Sequence, residues 1–131
     1  MIFVDSNVPM YLVGAEHPNK VRVSELLGQF IRSDERLVTD VEVYQEVLHR
    51  YVSINRLDAI DPAIASLDAI TDEVLPIQIA DVRVARELIA SVAGISARDA
   101  LHAAVMRHAG IERIFSLDRG FDACPGLQRL G

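Results

Sequence analysis

The sequence predicts a single α/β domain whose short, mostly parallel central sheet is flanked by helices in three layers, and three observations lead there. Short apolar runs at Ile2–Val4, Leu37–Thr39, Val74–Ile77 and Ile111–Leu117 read as buried strands. Most of the stretches between them carry helical apolar spacing over ten residues or more, and strands alternating with such helices imply a parallel sheet covered on both faces. A length of 131 residues leaves room for one core and no second domain, so residues 1–131 are expected to form one unit.

Each element has a local reason. Ile2-Phe3-Val4 runs into Asp5-Ser6-Asn7, a strand handing over to a turn, and Val8–Val13 begins a first helix. Pro18 suits a first helical position, after which Val21, Val23, Leu26, Leu27, Phe30 and Ile31 keep helical spacing until Arg32-Ser33-Asp34. Thr39 with Glu42 three residues later resembles a capping box opening the helix that carries Val43, Val47, Leu48 and Tyr51. Pro62–Ile70 reads as the next helix. Pro76 places the third strand at an edge or marks its end, and Ile79–Val92 is a helix halted by Gly94. Ser96-Ala97-Arg98-Asp99 has a second capping-box pattern, Gly110 closes that helix, and the tail Phe121–Leu130 offers a short final strand.

Composition narrows the function classes. Half the residues are apolar and 24% are charged, a globular balance rather than a disordered one. Cys124 is the only cysteine, which excludes an internal disulfide or a thiolate metal cage and points to packing. Met1–Asp5 carries no basic leader and no apolar stretch has the length of a membrane span, so a cytoplasmic protein without membrane attachment is expected. No glycine-rich phosphate loop, Gly-x-Ser-x-Gly elbow or His-Glu-x-x-His pattern is present. The net charge of −6 argues against nucleic acid, unless several of the acids form one site neutralised by divalent cations while arginines line the approach.

Acids stand where such a site would form. Ligands of open parallel sheets bind beyond the carboxyl ends of the strands. Asp5 and Asp118 each follow a strand, Asp99 lies in the first turn of a helix, and Glu46 lies one helical turn after Glu42. Each also has a purely structural explanation. Asp5 suits an Asx turn, Asp118 a cap on Arg119-Gly120-Phe121, Asp99 the reciprocal half of the Ser96 cap, and Glu46 an ion pair with Arg50. Together they say more, because carboxylates within about 5 Å repel by roughly 3 kcal/mol per pair at an effective dielectric of 20. Such a group takes up protons or binds cations. Oxygen-only ligands suit magnesium or manganese, the ions of phosphodiester hydrolysis.

Four ordered segments carry a resemblance that spans essentially the whole chain: Phe3-Val4-Asp5-Ser6-Asn7, Val38–Leu48, Ser96–Ala104 and Phe115–Asp122. They are similar to the PIN-domain ribonucleases, and among these to the VapC-type toxins of bacterial toxin–antitoxin pairs. The resemblance implies an acidic quartet of Asp5, Glu46, Asp99 and Asp118 holding Mg2+ or Mn2+, with Asn7 and Ser116 as polar supports. It implies hydrolysis of single-stranded or looped RNA, a homodimer, and an antitoxin whose helix fills an apolar groove and whose basic side chain enters the acidic pocket.

Glu42 is set aside for its capping role, while Asp122, four residues after Asp118, is open as its replacement or assistant. Arg98 and Arg119 flank two quartet members and are expected to contact phosphate or to pair with neighbouring acids. None of the histidines His17, His49, His102 and His108 is assigned as a base, since histidines on helices are more often packed or solvated than ligands. Two rivals stand beside this. A magnesium-binding receiver domain needs a paired acidic start and a late lysine, whereas Asp5 has no acidic neighbour before Glu16 and the only lysine is Lys20. A PIN-like module that binds RNA without cleaving it has the same residues.

Overall fold

Ile2, Phe3 and Val4 are apolar on both faces of the chain and fully buried, as the middle strand of a covered parallel sheet must be. In the computed structural model, which describes Met1–Gly131, they form β1 (Ile2–Val4). It is followed by α1 (Asn7–Val13), α2 (Pro18–Arg32), β2 (Leu37–Asp40), α3 (Val41–Ser53), α4 (Ile60–Ile70), β3 (Glu73–Leu75), α5 (Ile79–Ser91), α6 (Ala97–His108), β4 (Arg113–Phe115) and β5 (Gln128–Leu130). Short 3-10 turns occupy Leu57–Ala59 and Arg119–Ala123.

All five strands are parallel, in the order β3-β2-β1-β4-β5. From β1 the chain winds outward through β2 and β3, then crosses back to add β4 and β5 on the other side. The strand order therefore reverses between β1 and β4, where Phe3 is in register with Ile114 and Val4 with Phe115. That reversal opens the crevice in which open α/β sheets bind ligands, and the order differs from the 2-1-3-4-5 order of receiver domains.

Packing follows the apolar spacing. One core cluster joins β1, Leu37 and Val38 of β2, and Ile114 and Phe115 of β4 to Val8, Val23, Leu67, Leu88 and Met106 from the helices. Phe115 meets Phe30 of α2 edge to face, with ring centroids 5.1 Å apart. α1 packs against α2 and α4, and α5 lies along α6. Pro18 opens α2 as expected, with the His17 ring nitrogen accepting from the Asn19 amide. Gly110 takes left-handed backbone (φ 71°) directly after the last residue capping α6, where glycine ends a helix most easily, whereas α5 already ends in the extended backbone of Val92 and Gly94 (φ 78°) turns the loop beyond it.

Some expectations need correction. β3 is Glu73–Leu75 rather than Val74–Ile77: Pro76 has no N–H to give a ladder and lies just past the end of this edge strand. α3 is capped by Asp40, whose carboxylate accepts from the Val43 amide, and not by Thr39. The Thr39 hydroxyl instead donates to the Val4 carbonyl 2.9 Å away, tying β2 to β1. Thr39→Val is accordingly expected to lower the unfolding free energy by about 1 kcal/mol, read from urea denaturation, because a fully buried hydrogen bond is lost at nearly constant volume.

Candidate active site at the carboxyl edge of the sheet

The crevice between β1 and β4 is built from the residues that leave those strands. Asp5 follows β1 and is buried to 4% exposure. Its Oδ1 accepts from the Ser6 amide at 2.8 Å, and its Oδ2 from the Ser116 hydroxyl at 2.6 Å and the Asn7 amide group at 3.3 Å. Ser116, the residue after β4, also accepts from the Asp118 amide and from Asn7, so one hydroxyl joins the exits of both strands. Asn7 completes the link, its side-chain oxygen accepting from the Leu117 amide. Burial pushes the Asp5 carboxyl above the usual carboxylate range, although the nearby His102 charge and the Ser116 hydrogen bond pull the other way.

Glu46 enters from α3. It faces inward at 6% exposure, and the surface ion pair with Arg50 does not form. Its Oε1 instead lies 2.8 Å from His102 Nε2, while His102 Nδ1 lies 2.7 Å from Asp40 Oδ2. The imidazole is completely buried on α6 between two carboxylates. A neutral ring has one N–H, so two acceptors hold it as imidazolium or leave one shared proton among the three groups. Burial alone would lower the His102 pKa, yet the hydrogen bonds and charges of Asp40 and Glu46 raise it well above the usual histidine value. Burial alone would raise Glu46, and the His102 bond and charge bring it below the ordinary range. Oxygen or nitrogen atoms of Asp5, Glu46 and His102 all lie within 4.8 Å of one another.

Asp99 and Asp118 close the other side. Ser96 caps α6 by accepting from the Asp99 amide, but the reciprocal half of the predicted capping box is absent, which leaves the Asp99 carboxylate free to face the crevice. Asp118 is exposed and caps the following 3-10 turn through Gly120. A methyl group placed on Gly120 would stand 3.1 Å from Asp118 Oδ1 and 3.6 Å from Asp99 Oδ2, so both acids flank one glycine. Partial burial, then the charges of Asp5 and Asp118, push Asp99 up to about 6. The carboxylates of Asp5, Glu46, Asp99 and Asp118 thus gather at one edge of the sheet.

Other predicted residues fall elsewhere. Asp122 gives both oxygens to Arg129 at 2.8 and 3.2 Å, so it is turned to β5 and does not assist Asp118. Arg98 is exposed, its charge a minor downward pull on Glu46 and on Glu42, which burial and the Glu46 charge nonetheless push up, and Arg119 lies near Asp122 without pairing. Glu42, set aside as a capping residue, caps nothing and is half-buried beside Glu46. Two residues at the site are not assigned to it from sequence: His102, read as a packed or solvated helical histidine, and Asp40. Asp40 had a readable signal, since it follows an apolar strand just as Asp5 does; His102, among alanines on a helix, had none.

The profile of the PIN-domain family matches residues 2–127. The chain belongs to that family. Within the PIN family it is 55% identical over 130 residues to a VapC ribonuclease of Mycobacterium bovis, covering 99% of both chains. It is 42% identical over 118 residues to Ribonuclease VapC23 of Mycobacterium tuberculosis, covering 90% of this chain and 93% of the relative. Among solved structures, the VapC20 toxin of Mycobacterium tuberculosis superposes with a TM-score of 0.73 at 21% identity, covering 95% of each chain. A toxin–antitoxin complex from Klebsiella pneumoniae gives 0.68 at 12% identity, covering 98% of this chain and 96% of that one. These superpositions show that the five-stranded parallel sheet with its helices is the PIN fold.

Proposed function

We propose that this chain, acting as one PIN domain over residues 1–131, is a metal-dependent endoribonuclease that hydrolyses single-stranded or looped RNA. The observation that carries it is the convergence of Asp5, Glu46, Asp99 and Asp118, from four separate segments, on the crevice where the strand order reverses. Relatives at 55% and 42% identity are named ribonucleases.

The donor set fits a hard divalent cation. The acidic side chains offer carboxylate oxygens, and both nitrogens of His102 are already taken by Asp40 and Glu46. Asp5, Glu46, Asp99 and Asp118 would hold Mg2+ or Mn2+. When bound, such an ion polarises a phosphoryl oxygen and acidifies water at neutral pH.

The chain's own groups do the positioning. Ser6, Asn7 and Ser116 fix both Asp5 oxygens, and His102 fixes one oxygen of Glu46, so the two buried acids are immobilised before any ligand arrives. Asp99 and Asp118 form the accessible rim, where a flexible single strand can enter and a rigid duplex is hindered. Arg98, next to Asp99 in sequence, and Arg119, next to Asp118, are the residues expected to contact phosphates.

Within this reading the protein is a cytoplasmic toxin, working as a homodimer and restrained by a cognate antitoxin whose basic side chain enters the acidic crevice. No helix is long and apolar enough to cross a membrane.

Purified protein freed of any partner, incubated with total RNA, is expected to produce new RNA ends that vanish with chelator. Cleavage that survives the chelator would refute the metal mechanism, and intact RNA with manganese present would favour a module that only binds. Because Asp99 must release its proton before an ion can bind, manganese affinity is expected to drop about tenfold per pH unit below about 6. Titration calorimetry at pH 5 and pH 7 measures it, and equal affinities would count against Asp99 as a ligand.

A further inference from the structure

A second crevice lies directly behind the acidic one. Leaving β4, the chain bends at Leu117, is extended at Asp118 and enters the 3-10 turn at Arg119, so the side chains of this segment are shared between two hollows. Ser116 and Asp118 belong to the acidic site. Leu117 and Arg119 line a separate cleft of about 480 Å³, whose opposite wall is Pro18, Asn19 and Arg22 at the start of α2. Arg129 of β5 also lines it.

The charge of this cleft runs against that of the molecule. A chain with a net charge of −6 places three of its thirteen basic residues around one hollow. Arg129 is locked there, its Nε and Nη2 on Asp122 and its Nη1 on the Ser116 carbonyl at 3.3 Å. Arg22 and Arg119 form no ion pair and leave two guanidinium forks free at the opening. A planar guanidinium fork matches phosphate geometry and pairs with it bidentately.

We propose that this cleft is a subsite for a backbone phosphate of single-stranded RNA adjacent to the one being cut, gripped by Arg22 and Arg119 against the fixed Arg129. The substrate class rests on the ribonuclease reading above; the anion preference rests on the cleft itself. The physical need is plain, since four clustered carboxylates repel the phosphates on either side of the scissile bond. Cations in the neighbouring cleft offset that repulsion where the strand leaves the acidic site.

The test is fluorescence anisotropy with a labelled mixed-sequence single-stranded RNA of about 20 nucleotides, titrated across a range of salt on an Asp99→Asn background so that no strand is cut. Arg22→Ala and Arg119→Ala are each expected to weaken binding about 5- to 20-fold and to reduce the slope of log affinity against log salt by about 0.7. The double variant should lose more, while manganese affinity measured on the otherwise native chain stays unchanged. Unchanged RNA affinity and salt slope in both single variants would overturn the subsite. So would an equal loss of binding to a polyglutamate peptide, which would assign the cleft to acidic protein. Should the arginine variants lose RNA as expected while the native chain cuts nothing with manganese present, the subsite stands and the ribonuclease reading falls.

Discussion

Asp99→Asn is expected to lower RNA cleavage by roughly a hundredfold or more while making the metal-free protein more stable. The two effects have one cause. Asp99 sits where burial and the charges of Asp5 and Asp118 push its carboxyl up to about 6, so ionising it at neutral pH costs the folded state energy that the unfolded chain does not spend. The folded state holds this proton more tightly than the unfolded state, so the penalty is absent below about pH 4, grows as pH rises through the window from about 4 to 6, and is complete above it. A rise from the ordinary aspartate range to about 6 corresponds to roughly 3 kcal/mol at most, and solvent at this half-open rim reduces it to about 1–2 kcal/mol. Urea denaturation with chelator at pH 7 should show the variant more stable by that amount. Adding saturating manganese should reverse the order, because only the native site gains binding energy. A variant that is less stable in chelator would show that the acids are not crowded.

His102→Ala should be the most destabilising single change near the site, at about 3–5 kcal/mol. It leaves Asp40 and Glu46 buried, with no partner for the oxygens that His102 now serves, and it opens a hole against Phe3, whose ring centroid lies 5.3 Å from the imidazole. For a domain of this size that is a large share of the whole folding free energy. His102→Gln should not rescue it, because one amide group cannot reach both carboxylates. The pH dependence also follows from direction. The His102 pKa is raised in the folded state, so its contribution is fully present below about 6.5 and is lost as pH climbs through the higher folded value. Native protein should therefore lose stability on the alkaline side of neutrality, and His102→Ala should show less of that slope. A His102→Ala protein within about 1 kcal/mol of native would mean that the carboxylates find other partners.

The contrast between these two positions shows which parts of the site could be read beforehand. Asp5 and Asp118 were legible because both follow apolar strands of a parallel sheet, a place where topology and not local chemistry decides what a side chain faces. Helix boundaries were legible wherever a proline, glycine or capping residue gave a local cause, as at Pro18, Ser96 and Gly110. Thr39 and Glu42 misled because their spacing mimics a capping box, while Asp40 supplies the cap and Thr39 is claimed by the neighbouring strand. His102 could not be distinguished from a packed helical histidine, since its partners lie 62 and 56 residues away. The same holds for Asp122. Its nearness to Asp118 in sequence suggested a shared site, and only the return of β5 brings Arg129 alongside to claim it.

The arrangement explains how an acidic protein can act on a polyanion. Its buried acids are fixed by neutral donors and one histidine, its rim acids are left accessible, and its free guanidinium groups stand one segment away. The most direct test of the central claim is a calorimetric titration of manganese into the native chain and into Asp99→Asn at pH 7. Binding in the native protein that weakens at least tenfold in the variant is the predicted result. Equal affinity in the two proteins, or none in either, would contradict it.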